Sequence, residues 1–270
     1  MLARIEYFAI AAFSLLIILA QDVNADKNHK QLGRLDLNTH FLSSIETSHP
    51  AIKSIKINAT KSRAPEAILA KKLADKAISE LAALFDPQPH LKVAINLLER
   101  MDFLAVTGAP AWTNALFLNG EVYIPLDKES ISHDLLSQAI RHELLHLYLG
   151  HISGGKIPGW LDEGLAMHFE QNKELHILIS LYKEWTRSNS PFRAVKLRTG
   201  FTKFIPEEVP LAYAQSLISS QLLLQKYGFN KLKEYLKNLA EGYGPDDAFY
   251  KTFQISEDDF FNETQTRIGY

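Results

Sequence analysis

The chain has 270 residues and a mass of 30.5 kDa, 46% hydrophobic and 22% charged, with 13 Gly and 11 Pro. That is the composition of a globular fold; it excludes collagen-like, low-complexity and largely disordered chains, and the length fits one large domain or a compact two-lobed unit. Lys+Arg 29 against Asp+Glu 31 leaves a net charge of −2 and no phosphate-tracking surface, so no nucleic-acid partner is expected, and with Cys at 0 any metal must be held by His and carboxylate.

The elements follow in chain order. Residues 1–25 are expected to be a signal peptide: Arg4 gives a short basic start, Tyr7 to Ala20 is apolar or small, and Val23-Asn24-Ala25 sets small side chains where a signal peptidase cuts. The apolar run is about 14 residues, against about 20 needed to span a bilayer. An uncleaved N-terminal anchor and a buried N-terminal helix are the other readings of this segment. Export without cysteine suits a periplasmic or extracellular location. Residues 26–48 form a polar lead-in, and residues 49–270 the domain itself.

Ala51 to Ala59 alternates Ile with Lys or Ser, the period of a strand with one wet face. Pro65 opens a helix to about Phe85, with Leu69, Leu73, Ala77, Leu81 and Leu84 on its buried side. Leu91 to Leu98 reads as a strand, and Trp112 to Leu126 as a hairpin turning at Asn119-Gly120. Helical periodicity then takes over, near 133–149, 160–186, 210–227, 229–240 and 256–267. Ser188 to Pro206 lacks periodicity and is read as a surface loop, with a flap over the site as the other reading. Strands first and helices second make the class α+β: a small N-terminal lobe with a mixed or antiparallel sheet (about 49–150), a mostly helical lobe (about 151–270), and an active site in the cleft between them.

The chemistry concentrates in His142-Glu143-Leu144-Leu145-His146. On a helix, positions four apart differ by about 40° around the axis and one turn along it, so both imidazoles face one point. Glu143 lies beside them, able to reach a water on an ion without ligating it. Two histidines need a third protein ligand if zinc is to keep one position for water. Downstream, Trp160-Leu161-Asp162-Glu163-Gly164 offers Glu163 in the first turn of a second helix, with Gly164 leaving room for close approach. His151 and His168 are the rivals for that role; His151 is rotated about 140° from the chelating face.

HELLH followed by WLDEG resembles the gluzincin zinc metallopeptidases, and most of all the small peptidase MA-like domains related to thermolysin-like enzymes and zinc aminopeptidases. The resemblance implies a zincin-like fold over about residues 50–265 and one zinc ion held by His142, His146 and Glu163, with Glu143 as general base. It also implies an orienting role for Glu170 behind a ligand imidazole and a substrate-pairing edge strand around Asn114 and Ala115. A metzincin pattern would need Gly and His where Leu149 and Ile152 stand.

The mechanism expected is attack by an activated water, with Glu143 moving its proton to the leaving amine. Tyr213, near the start of a downstream helix, is the candidate donor to the oxyanion; Tyr227, Tyr235 and Tyr243 are its neighbours and rivals. The aminopeptidase element Gly-Ala-Met-Glu-Asn is absent, which favours an endopeptidase acting on polypeptide substrate. The alternative is a catalytically silent module that uses the same fold for binding or assembly in the cell envelope. A peptidoglycan cross-link as substrate has no motif in its favour, and the oligomeric state is not written in the sequence.

Overall fold

The computed structural model of the chain describes residues 43–268, except 112, 128–130 and 202–203. The expected signal segment and most of the lead-in lie outside these residues. The class is α+β, as expected. Two compact units are distinguished, one running to Leu144 and the other from Leu145, so that they meet in sequence inside a single helix.

The first unit is built on a mixed sheet of β1 (Ser43–His49), β2 (Ile52–Ala59), β3 (Gln88–Glu99), β4 (Leu116–Leu118) and β5 (Glu121–Leu126), in the order β1-β2-β3-β5-β4. The outer pairs are antiparallel and the two inner pairs parallel. β1 takes residues 43–48 out of the expected lead-in. Ile45 is its one large apolar side chain, and the strand is fixed by backbone pairing with β2, which hydropathy does not register. Register shifts near Thr47 and Ile52 explain why the Ile/Lys alternation of β2 is imperfect.

Helix α1 (Ala64–Phe85) links the parallel strands β2 and β3, with Pro65 in its first turn. Its buried stripe is Ala67, Ala70, Ala74, Ala77, Ile78 and Leu81, with Leu73 and Phe85 alongside. The expected Leu69 and Leu84 lie only at the margin of this stripe. In β3 the alternation of burial gives way to continuous burial at Ile95–Leu98. There α2 (Arg100–Thr107) covers the second face, packing Phe103 against Leu98, Leu116 and Tyr123. The buried Asn96 in this stretch accepts from Asn58 Nδ2 (2.8 Å) and donates to Glu121 Oε2 (2.7 Å). The β4–β5 turn holds Asn119 at φ 53° and Gly120 at φ 85°, the left-handed pair that an Asn-Gly hairpin requires.

Helix α3 (His133–Ile152) carries both units in sequence. The second unit continues with α4 (Gly159–Glu170), α5 (Leu175–Thr186), the single turn α6 (Ala194–Leu197), α7 (Val209–Ala240), α8 (Pro245–Phe253) and α9 (Glu257–Ile268). The helix expected over 160–186 is two helices. Gln171 turns left-handed at φ 61°, and Asn172 Oδ1 accepts the Glu174 N–H at 2.9 Å, a side-chain turn that ends the first helix. Helix α7 contains both segments expected there, bent at Gly228, where φ 76° and ψ 171° leave the helical region.

Ser188 to Pro206 is not a plain surface loop. It holds α6, buries Phe192, Ala194, Leu197 and Phe201, and is fastened by Gln215, which accepts from Phe192 N (2.9 Å) and donates to Phe192 O (2.7 Å). The core of the unit centres on Trp160, whose ring lies 5.1 Å from Phe261, 6.2 Å from Phe260 and 6.5 Å from Phe249. Among the described residues, no helix is long and apolar enough to cross a membrane.

Candidate metal centre

The middle of α3 is buried on every side: Leu144, Leu145, Tyr148 and Leu149 are fully enclosed, and so are His142, Glu143 and His146. A helix surrounded in this way holds its histidines in fixed rotamers, because no solvent face is open for them to turn into. On the same helix Arg141 forms a two-pronged pair with Glu80 of α1, which fixes the turn that carries His142.

Helix α4 brings the third residue. Pro158 is extended (φ −63°, ψ 140°) and the helix starts at Gly159, whose N–H donates to Arg198 O at 2.8 Å. Trp160 Nε1 donates to the buried Glu257 Oε1 at 2.7 Å. Helix α7 packs against α4 at backbone distance. A Cβ placed on Gly164 would lie 2.2 Å from both the carbonyl oxygen of Ser216 and Oγ of Ser220, so only glycine fits.

These constraints place one ligand atom each from His142, His146 and Glu163 within 4.8 Å of one another. His146 Nε2 and Glu163 Oε2 are 3.8 Å apart, near the separation of about 3.4 Å for two donors on a tetrahedral zinc at about 2.0–2.1 Å. Two imidazole nitrogens and one carboxylate oxygen, enclosed together, are a donor set that suits zinc and leaves one position for solvent. The rivals His151 and His168 are both exposed and outside this group.

The other residues singled out from the sequence fall as follows. Glu143 is fully buried on α3. Glu170, also buried, lies two turns along α4 from Glu163 on the same side of the helix. Tyr213 is buried in the first turns of α7, edge-on to Phe201 at 4.7 Å. Of its rivals, Tyr235 is buried, Tyr227 half-buried and Tyr243 exposed. Asn114, half-buried, and Ala115, buried, are not in the strand itself; they lead into β4, which begins at Leu116 and ends one side of the sheet order.

One residue escaped the sequence reading. Oδ1 of Asp162 lies 2.9 Å from Nδ1 of His146, both side chains being almost wholly enclosed. The signal was available: a metal-ligating imidazole nearly always meets a carboxylate or carbonyl on its other nitrogen, and WLDEG contains two acids.

The model of the Peptidase MA superfamily matches residues 74–267. The chain belongs to that superfamily. No curated protein matches. Similar solved structures include a mutant M1 zinc metallopeptidase from Deinococcus radiodurans, at 12% identity and a TM-score of 0.45 over 84% of this chain and 51% of that one. A two-domain M1 zinc metallopeptidase mutant bound to L-arginine matches with the same identity, score and coverage. A Deinococcus radiodurans mutant bound to a Tyr-Ser-Ala substrate matches at 12% identity and a TM-score of 0.42. The chain spans about half the length of these structures.

Proposed function

We propose that the chain is an exported zinc-dependent peptidase, acting as an endopeptidase on polypeptide substrates. The observation that carries this reading is the convergence of His142, His146 and Glu163 on one buried point, with Glu143 in the same helical turn, in a member of the Peptidase MA superfamily. His142, His146 and Glu163 would hold the ion. Zinc in such a site supplies Lewis acidity, polarising a carbonyl and lowering the pKa of water from about 15.7 towards about 7.

The chain's own residues do the rest. Glu143, fully enclosed, takes a proton from the attacking water as its oxygen bonds to the scissile carbonyl carbon. The same carboxyl then delivers that proton to the amide nitrogen as the C–N bond breaks, giving a carboxylic acid and an amine. Tyr213 O–H donates to the oxygen that gains negative charge, and backbone groups at Asn114 and Ala115 hold the extended substrate. Glu170 steadies a ligand imidazole from behind.

The test is Glu143→Gln in the zinc-loaded protein. The glutamine keeps the shape and the metal but cannot accept the proton, so hydrolysis of a quenched-fluorescence peptide should fall at least about 10²-fold, the worth of a general base. Undiminished hydrolysis at full zinc content would refute the reading.

A further inference from the structure

We infer that Arg100 is the positioning residue for the substrate-pairing segment, holding the backbone at Asn114 so that its N–H is offered to an extended peptide. The inference rests on the proposed peptidase reading, in which Asn114 and Ala115 hold that peptide. Arg100 opens α2 directly after β3, and its one guanidinium serves two neighbours. On one side Nε and Nη2 donate to the two carboxylate oxygens of Asp127, at 2.9 and 3.0 Å. On the other side Nη1 donates to the carbonyl oxygens of Thr113 (2.9 Å) and Ala111 (3.3 Å). Asp127 follows β5 and is anchored in turn. Its carbonyl oxygen accepts from Arg63 Nη2 at 2.6 Å, and Arg63 Nε donates to Glu99 Oε1 at 2.7 Å.

Thr113 is fully enclosed, and both of its backbone groups are held: its N–H donates to Pro110 O at 2.9 Å, and its carbonyl accepts from Arg100. The peptide bond between Thr113 and Asn114 is trans, so the Thr113 C=O and the Asn114 N–H point in opposite directions. Arg100 reaches the segment from the inner side, because β3 lies two places in from β4 in the sheet order. Drawing the Thr113 oxygen inward therefore turns the Asn114 N–H outward, to the side of β4 that has no neighbouring strand among the described residues. That is the orientation by which a free edge adds an extended peptide. The ladder between β4 and β5 begins only at Leu116, so it does not fix the peptide planes before that residue. Arg100 fixes them instead, and its planar fork lets one side chain hold a carboxylate and two carbonyls at once.

The experiment compares steady-state hydrolysis of an extended quenched-fluorescence peptide by the zinc-loaded unaltered chain, Arg100→Met, Arg100→Lys and Asn114→Pro, with zinc content measured for each. Absence of hydrolysis by the unaltered chain would remove the peptidase reading, and this inference with it. Given hydrolysis, Arg100→Met should raise KM about 3–10-fold, the contribution of one hydrogen bond, and leave kcat within about 2-fold. Lysine keeps the charge beside Asp127, but its single nitrogen cannot span the carboxylate and both carbonyls. Arg100→Lys should therefore raise KM as well, and it decides the matter if Arg100→Met does not fold. Asn114→Pro deletes the N–H itself and should raise KM to a similar extent, with no further rise when combined with an Arg100 variant. Parent-like KM in these variants, additive rises, or a fall in kcat at unchanged KM, as loss of folded protein would give, would each overturn the assignment and leave the peptidase reading standing.

Discussion

Replacing Gly164 by alanine adds a single methyl group to the helix that carries Glu163, and the structure sets how much that methyl must displace. It would stand 2.2 Å from the Ser216 carbonyl oxygen, 2.2 Å from Ser220 Oγ and 2.6 Å from the Ser216 carbonyl carbon. Comfortable contact between such atoms is about 3.5 Å, so α4 and α7 must separate by about 1 Å. Rotating Ser220 relieves one contact, but the Ser216 carbonyl is backbone in the middle of α7 and cannot turn aside. Overpacking of this kind costs typically about 1–3 kcal/mol, which exceeds or cancels the gain of about 1 kcal/mol from exchanging glycine for alanine within a helix. The functional effect should be larger than the effect on stability. Glu163 is the adjacent residue, and metal–ligand distances tolerate about 0.2 Å. Zinc affinity by chelator competition should fall at least about 10-fold, with hydrolysis falling alongside it, since a misplacement of about 1 Å can cost about 10²-fold in rate. Combining Gly164→Ala with Ser220→Ala should restore little, because the Ser216 carbonyl remains. Parent-like zinc affinity together with a raised Tm in Gly164→Ala would refute the argument, for it would mean that α4 and α7 have slack.

Tyr213→Phe should keep the edge-on contact with Phe201 and the zinc content while lowering kcat about 10²-fold with KM unchanged; an unaltered kcat would reduce Tyr213 to packing. Gln215→Leu strips both backbone partners from the buried Phe192, at about 1–3 kcal/mol for each orphaned group, so limited proteolysis should cut within residues 188–206 faster than in the parent. Equal cutting rates would contradict the fastening role. Acid should weaken the first unit through two arginine-paired carboxylates. Hydrogen bonding to Arg63 holds the Glu99 carboxyl below its ordinary value, and hydrogen bonding to Arg100 does the same for Asp127. A depressed folded-state pKa means that the unfolded chain binds more protons. The stability is therefore fully present above about pH 5 and is lost as pH falls through the depressed values. A double variant Arg63→Met, Arg100→Met should have a lower Tm at neutral pH and a shallower further decline in acid; a parallel decline would contradict the pairing argument.

The hairpin at Asn119-Gly120 and the helices around HELLH were legible because local rules and tertiary packing agree there: a turn that needs two positive φ angles has Asn-Gly, and an apolar run with two histidines four apart is buried on all sides. Glu163 was legible for a geometric reason, being an acid near the start of the next helix beside a glycine. Features made by backbone pairing or by distant partners were not legible. β1 exists through its backbone pairing with the neighbouring β2, and the stretch around Phe192 is fastened by Gln215 some twenty residues away. The break at Gln171 was missed because Glu170 to Glu174 is a polar stretch that reads equally well as the wet face of a continuing helix, while the stop is written in the Asn172 side chain. Asp162 went unnoticed because sequence spacing shows which residues share a helix face, but not which side chain comes within 2.9 Å of a ring nitrogen of His146.

The central claim is that three side chains from two successive helices share one ion. An anomalous difference map from crystals of the chain loaded with one equivalent of zinc measures this directly. The account predicts one strong peak within bonding distance, about 2.0–2.2 Å, of His142, His146 and Glu163. A peak held instead by His151, His168 or surface carboxylates, or no peak at the buried site, would contradict it.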